Sequence, residues 1–279
     1  MLISDPEATS RRFSALGVYM TTNVLDGQVF TCGYADACRL SAITDQPRRV
    51  DRSALEFYEA QLLHVGPHYD LFEDDRPWRV MCLGMDTGRA DAHVSLSRRS
   101  AQQDEVMQQR FMSRRGHMRG TTSALRVAYG GSPGRDREGE MLSLVNVPEQ
   151  VHLMQAYVLA NVRMCTVKQP DRTTSYGTEA MARNCFHHLE ATMRILQPQL
   201  CIVQSSQSVR ILEKLLADRV PITDNLDLVE VGGSLILWAK FTHPSVPNGT
   251  QNWGTRDSTS YLDEVVVPTI RAAREYGLA

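Results

Sequence analysis

Four short apolar runs, Trp78 to Met85, Tyr157 to Met164, Leu200 to Ser205 and Leu235 to Phe241, are separated by stretches with helical periodicity. That alternation leaves few folds open. Runs apolar at consecutive positions suit strands buried on both faces, as in a parallel sheet, better than half-solvated hairpin strands. Helices must then cover both faces. The chain is therefore expected to be α/β, a three-layer α/β/α sandwich around a central, mainly parallel four-stranded sheet.

The helical segments have readable ends. Thr178 is a plausible N-cap for a helix running to about Leu196, with Met181, Cys185, Leu189, Met193 and Leu196 at helical spacing and Pro198 as its stop. A shorter amphipathic helix is expected over Val209 to Leu216, and a last one from Asp257 or Ser258 toward Tyr276, kinked at Pro268. Ser132 to Glu140, rich in Gly, Pro and charge, reads as an exposed loop. At 279 residues the chain suits a single domain over 1–279, with 1–75 as an N-terminal segment packed on it. No apolar run reaches membrane-spanning length and the amino end lacks an export pattern, so a cytoplasmic monomer without a membrane partner is expected.

Ligands of open α/β sheets bind beyond the carboxyl ends of the strands. Gly84-Met85-Asp86-Thr87-Gly88 and His243-Pro244-Ser245 both follow apolar runs, and Asn161 lies near the end of a third. A carboxylate and an imidazole so placed suit cleavage of a glycosidic bond: the carboxylate stabilises a positive sugar or directs water, and the imidazole hydrogen-bonds the departing base. Alone, Asp86 could equally cap the following helix, His243 could be a loop histidine before a turn, and Asn161 could be a buried amide satisfied by backbone.

Net charge is only −2, so a nucleic-acid partner would need a local basic patch. Between Arg98 and Arg126 there are seven arginines (Arg98, Arg99, Arg110, Arg114, Arg115, Arg119, Arg126) against Asp104 and Glu105, and 7 minus 2 leaves +5. A solvated helical face and a phosphate-binding surface explain this stretch equally well by composition.

Taken in order, Asn161-Val162-Arg163-Met164-Cys165, then Gln169-Pro170-Asp171-Arg172, Asn184-Cys185 and Leu196-Gln197-Pro198, together with the Gly84 to Gly88 turn and His243-Pro244-Ser245, resemble the uracil-DNA glycosylase superfamily. The likeness is to its iron-sulfur branch. It implies a glycosylase acting on uracil or a modified pyrimidine in single- or double-stranded DNA, by base flipping, leaving an abasic site. Asp86 and His243 would be catalytic, and Gly84, Met85, Gly88, Asn161 and Ser245 would surround the base. Gly116-His117-Met118-Arg119-Gly120 resembles the segment that supplies an aromatic platform, with His117 or Met118 in place of a phenyl ring. Arg114, Arg115 and Arg119 would contact phosphates, and Val246 and Pro247 would wedge the opened stack. Without a phenyl platform, and with Gly88 where uracil enzymes carry bulk, the pocket could accept 5-substituted cytosines, including glucosylated hydroxymethylcytosine in phage DNA, as an antiviral activity. A DNA-binding member that has lost turnover is the other alternative.

Six cysteines without an export signal do not indicate a disulfide framework. With the resemblance, Cys32, Cys38, Cys165 and Cys185 are expected to hold a structural [4Fe-4S] cluster, zinc being the alternative and four free thiols the plain one. Cys82 and Cys201 sit inside strand runs and read as core residues.

Overall fold

The computed structural model describes residues 1–48, 50–87, 91–170, 174–216, 218–247, 249–254 and 260–279. Among them seven strands form one sheet: β1 (His64–Val65), β2 (Val80–Gly84), β3 (Tyr157–Asn161), β4 (Leu200–Gln204), β5 (Arg219–Thr223), β6 (Leu226–Val231) and β7 (Ser234–Phe241). Their order is β5-β6-β7-β4-β2-β3-β1. The four anticipated strands are the contiguous centre, where β7, β4, β2 and β3 run parallel. The expected four-stranded sheet is corrected to seven strands, because β6 pairs antiparallel with β7, β5 with β6, and β1 with β3. The β6–β7 hairpin turns at Gly232 and Gly233, both at positive φ (59° and 80°), which a two-residue turn of this hand requires.

The helices are α1 (Pro6–Asn23), α2 (Ala35–Thr44), α3 (Leu96–Gln108), α4 (Gly116–Ala128), α5 (Glu179–Leu196), α6 (Ser206–Leu215) and α7 (Val267–Leu278). The α5 helix starts as expected, the Thr178 hydroxyl accepting the Met181 N–H at 3.2 Å. It closes on Gln197 in the left-handed region, at φ 48°, before Pro198. The start expected for the last helix, Asp257 or Ser258, lies outside the described residues. Its described part begins at Ser260 and contains a π-helical turn, Leu262–Val266; Pro268 follows after one intervening residue, where the hydrogen-bond ladder is already interrupted.

Alternation along the central strands divides the core in two. Met81, Leu83, Val158, Ala160, Cys201 and Val203 pack with α1, α5 and α6; Val80, Cys82, Tyr157, Leu200 and Ile202 pack with α4 and α7. From β2 the chain crosses through α3 and α4 to β3 on one side, then returns through α5 to β4 on the other. That reversal beside β2 makes the carboxyl ends of β2, β3 and β4 the place where open α/β sheets bind ligands. No helix among the described residues is long and apolar enough to cross a membrane.

Candidate active site

Parallel pairing continues one step past the strands and sets the site. Asn161 is in register with Gly84, and beyond it the Val162 N–H donates to the Gly84 carbonyl and the Arg163 N–H to the Met85 carbonyl, both at 2.9 Å. Asp86 thereby arrives beside Arg163. The Arg163 guanidinium, whose side chain is 2% exposed, donates to Asp86 Oδ2 at 2.7 Å, and the Ser175 hydroxyl donates to the same oxygen. Thr166 donates to Ser175 at 3.1 Å, and a second Arg163 nitrogen donates to the Thr178 carbonyl at 3.1 Å. Among the described residues both hydrogen bonds to the Asp86 carboxylate fall on Oδ2, and none is made to Oδ1.

Next to it, Asn161 Nδ2 donates at 3.2 Å to the Thr87 hydroxyl, which also accepts from buried Arg99 at 3.2 Å. Gly84 must lack a side chain here: a Cβ would lie 2.8 Å from Asn161 Oδ1. At the end of β4, Gln204 is fully buried; its carbonyl accepts from Thr121, and its Nε2 has no partner among the described residues.

His243 comes in from β7 on a loop locked against α4. A Cβ on Gly120 would strike Pro244 at 2.5 Å, and one on Gly254 would lie 1.9 Å from the Gly116 carbonyl. The Trp253 indole donates to the Thr242 carbonyl at 3.0 Å, and the Gly254 N–H to that of Pro244 at 2.8 Å. This interlock stacks the His243 and His117 rings, with centroids 5.1 Å apart and planes at 22°. The Ser245 N–H donates to His243 Nδ1 at 3.1 Å. A backbone N–H can only donate, so the neutral imidazole carries its proton on Nε2. Desolvation lowers the pKa of His243, opposed by the negative charge of Asp86; the two groups are close enough to feel one another.

Desolvation, with a smaller contribution from His243, lowers the pKa of His117 to about 3, and burial lowers that of His64 to about 4, from an ordinary 6.5. Both histidines bind a proton more tightly in the unfolded chain than in the folded one. Below about pH 6.5 the unfolded state therefore holds more protons, and stability falls as pH drops toward the folded values. Melting temperature is expected to decline steadily from pH 7 to 4.5, and less steeply in His64→Gln. A flat profile would show that these imidazoles ionise freely in the folded protein.

The other expected site residues divide. Met85 is buried at the turn, Ser245 supplies the N–H that fixes His243, and Gly88 lies outside the described residues, as do Asp171 and Arg172 of the middle motif. Met118 is corrected from platform to core, since it packs with Leu125 and Trp253, which leaves His117 against the site. Arg114 is corrected from phosphate contact to buried ion pair: its side chain is fully buried and grips Glu140 at 2.6 and 2.9 Å. Arg99 and Arg126 are buried too, so three of the seven arginines are unavailable to a surface patch. Glu140 likewise corrects the expectation of an exposed loop, being 1% exposed at the end of that segment. Arg115 is exposed and Arg119 half-buried at the start of α4; Val246 is half-buried and Pro247 exposed beside His243.

Arg163, Ser175, Thr87 and Gln204 were not singled out by pattern. Arg163 had a signal, because an arginine directly after an apolar strand must find a buried carboxylate. Two cavities, of about 310 Å³ by Gly130 and Arg274 and about 410 Å³ by Arg219 and Lys240, lie away from these residues.

Four thiols gather beneath this region. Cys32 is half-buried and Cys38, Cys165 and Cys185 are buried; Ala42, Val167 and Met181 pack with Cys38 and Cys165, and Cys185 belongs to the core under α5. Burial raises the pKa of all four, that of Cys185 to about 12, and each of the three buried thiols is raised further by neighbouring cysteines of the set. Two of the sulfurs have side-chain hydrogen-bond partners: the His188 ring at 3.4 Å from Cys32 and Asn184 Nδ2 at 3.4 Å from Cys38. Among the described residues no group of three or more His, Cys, Asp or Glu is arranged around a single ion. Cys82 and Cys201 lie in the sheet core, as expected. No protein-family model matches this chain, and no curated protein matches it.

Proposed function

We propose that the protein is a DNA glycosylase related to the uracil-DNA glycosylase superfamily, hydrolysing the bond between a pyrimidine base and deoxyribose. One observation carries this reading: Asp86 and His243, from segments 157 residues apart (243 minus 86), sit within electrostatic reach, and among the described residues Asp86 is held through Oδ2 and His243 through Nδ1, which leaves Oδ1 and Nε2–H for a ligand. As the glycosidic bond breaks, its electron pair leaves with the base. Asp86 Oδ1 would stabilise the electron-poor sugar and align the water that adds to C1′, while His243 Nε2–H would donate to the oxygen of the departing base. His117 offers a flat face to a flipped base, and Asn161 an amide for its hydrogen-bonding edge. Arg115, Arg119 and Pro247 are the rim groups in position to meet DNA.

The four thiols suit a structural [4Fe-4S] cluster as part of the same proposal. A cluster places its thiolates on separate irons, so it does not need the convergence on one point that zinc does. Four cysteines close enough to perturb one another, three of them buried, are a donor set that a cluster can use, and Cys32 and Cys38 have the side-chain partners that ligated thiolates use. Cys32, Cys38, Cys165 and Cys185 would hold it, tying α2 and α5 together and supplying no reacting group.

A second reading has its own support. The imidazole of His117 spans less area than a phenyl platform, which favours a base with a 5-substituent over plain uracil. The test is excision from single- and double-stranded DNA carrying uracil, 5-hydroxymethylcytosine or its glucosylated form, read as strand cleavage at abasic sites. Release of uracil alone supports the first substrate, release of the substituted cytosines alone supports the second, and no release from any of them leaves a DNA-binding protein.

A further inference from the structure

Of the four thiols only Cys32 is partly open to solvent, and it is also the one met by a side chain that is itself held from behind. His188 on α5 is 2% exposed. Its Nε2 lies 3.4 Å from Cys32 Sγ and its Nδ1 lies 2.9 Å from the hydroxyl of Tyr19 on α1. The Tyr19 and His188 rings meet edge to face at 5.9 Å and 72°, while His187 covers the other side with centroids 3.7 Å apart. Phenol, imidazole and sulfur thus form one hydrogen-bonded row that starts on α1, passes through α5 and ends at Cys32.

We propose that His188 is the positioning residue of the half-exposed cluster ligand, donating from Nε2 to the Cys32 thiolate with its tautomer fixed by Tyr19. This rests on the cluster proposed above. As a free thiol, Cys32 could satisfy the row in either direction, giving its proton to Nε2 or receiving one from it. A thiolate bound to iron has no proton to give, so Nε2 must donate. A neutral imidazole has one N–H, so Nδ1 must then accept, and the Tyr19 hydroxyl is the donor placed to supply it. A hydrogen bond donated to a ligating sulfur withdraws electron density and favours the reduced, more negative cluster. At the half-exposed ligand it also takes the place that water would otherwise occupy.

The test uses the full chain, reconstituted anaerobically with iron and sulfide. It reads the midpoint potential of the cluster and the rate of its absorbance loss in air for wild type, His188→Phe, His188→Gln and Tyr19→Phe. His188→Phe is expected to move the midpoint to more negative values and to speed cluster loss about tenfold. His188→Gln, which keeps an N–H donor, should recover part of both, and Tyr19→Phe should fall between wild type and His188→Phe. A purely packing role for His188 would leave the midpoint in place. An unchanged midpoint in Tyr19→Phe and His188→Gln would overturn the assignment even if His188→Phe failed to assemble. Failure of the wild type to take up iron and sulfide would instead remove the cluster itself, a result distinct from a cluster insensitive to His188.

Discussion

If the proposed activity holds, replacing Asp86 by asparagine is expected to slow base excision roughly 10³-fold while DNA remains bound, slightly more tightly because a negative charge is gone from a site that would face phosphates. The geometry makes the experiment demanding. Asp86 partners Arg163, whose side chain is 2% exposed, and removing its charge leaves a buried guanidinium unpaired. A loss of activity in Asp86→Asn therefore needs a companion that carries no such burden. His243 supplies it, since the residue is exposed and among the described residues its ring hydrogen-bonds only the Ser245 N–H. His243→Ala should lose about 10²-fold to 10³-fold in excision rate, as for removal of a donor to a developing anion, with an unchanged melting temperature. The double variant should lose far less than the product of the two, because groups acting on one transition state are not additive. If His243→Ala keeps full activity, or Asp86→Asn loses activity only in proportion to unfolded protein, the carboxylate is a structural partner of Arg163 and the catalytic assignment fails.

What the sequence disclosed and what it hid follow from range. The four central strands were legible because burial on both faces leaves an uninterrupted apolar run, and the α5 start because Thr178 caps it locally. The Gly232-Gly233 hairpin was equally legible and was missed; a two-glycine turn between apolar runs is a strong local signal. His64–Val65 was beyond reach, since a two-residue edge strand is defined by its partner β3 alone. The strand ends carrying Asp86, Asn161 and His243 could be named because a parallel sheet gathers its carboxyl ends. The pairing of Asp86 with Arg163 and Ser175 could not, being decided by register past the strands and by a loop nearly 90 residues away (175 minus 86 is 89). Charge counting misled for the same reason. Whether an arginine faces phosphate or a buried carboxylate depends on contacts that composition does not contain.

Arg114 is where that difference has its largest consequence for stability. Arg114→Met is expected to cost about 3–5 kcal/mol, roughly a 10 °C fall in melting temperature, with little change in DNA affinity per folded molecule. Its guanidinium grips both oxygens of Glu140 and also donates to Thr122 and to the Val106 and Gln109 carbonyls, so it ties α3, α4 and the segment after α4 together. Burial alone would raise the pKa of Glu140; hydrogen bonds from His152 and Arg114 and the charge of Arg114 bring it down instead, to about 2. A carboxylate held that low contributes stability that is complete above its unfolded value of about 4.5 and is lost as pH falls toward 2. Removing Arg114 leaves that buried charge with only His152 and the exposed Arg137 beside it among the described residues. Converting Glu140 to glutamine in the Arg114→Met background should then restore part of the loss, because a missing pair costs less than half of one. A surface phosphate contact predicts the reverse: unchanged melting, weaker DNA binding, and a salt dependence reduced by about one counterion. Thermal melts of the single and double variants, beside DNA titrations at two salt concentrations, separate a pin inside the fold from a contact outside it.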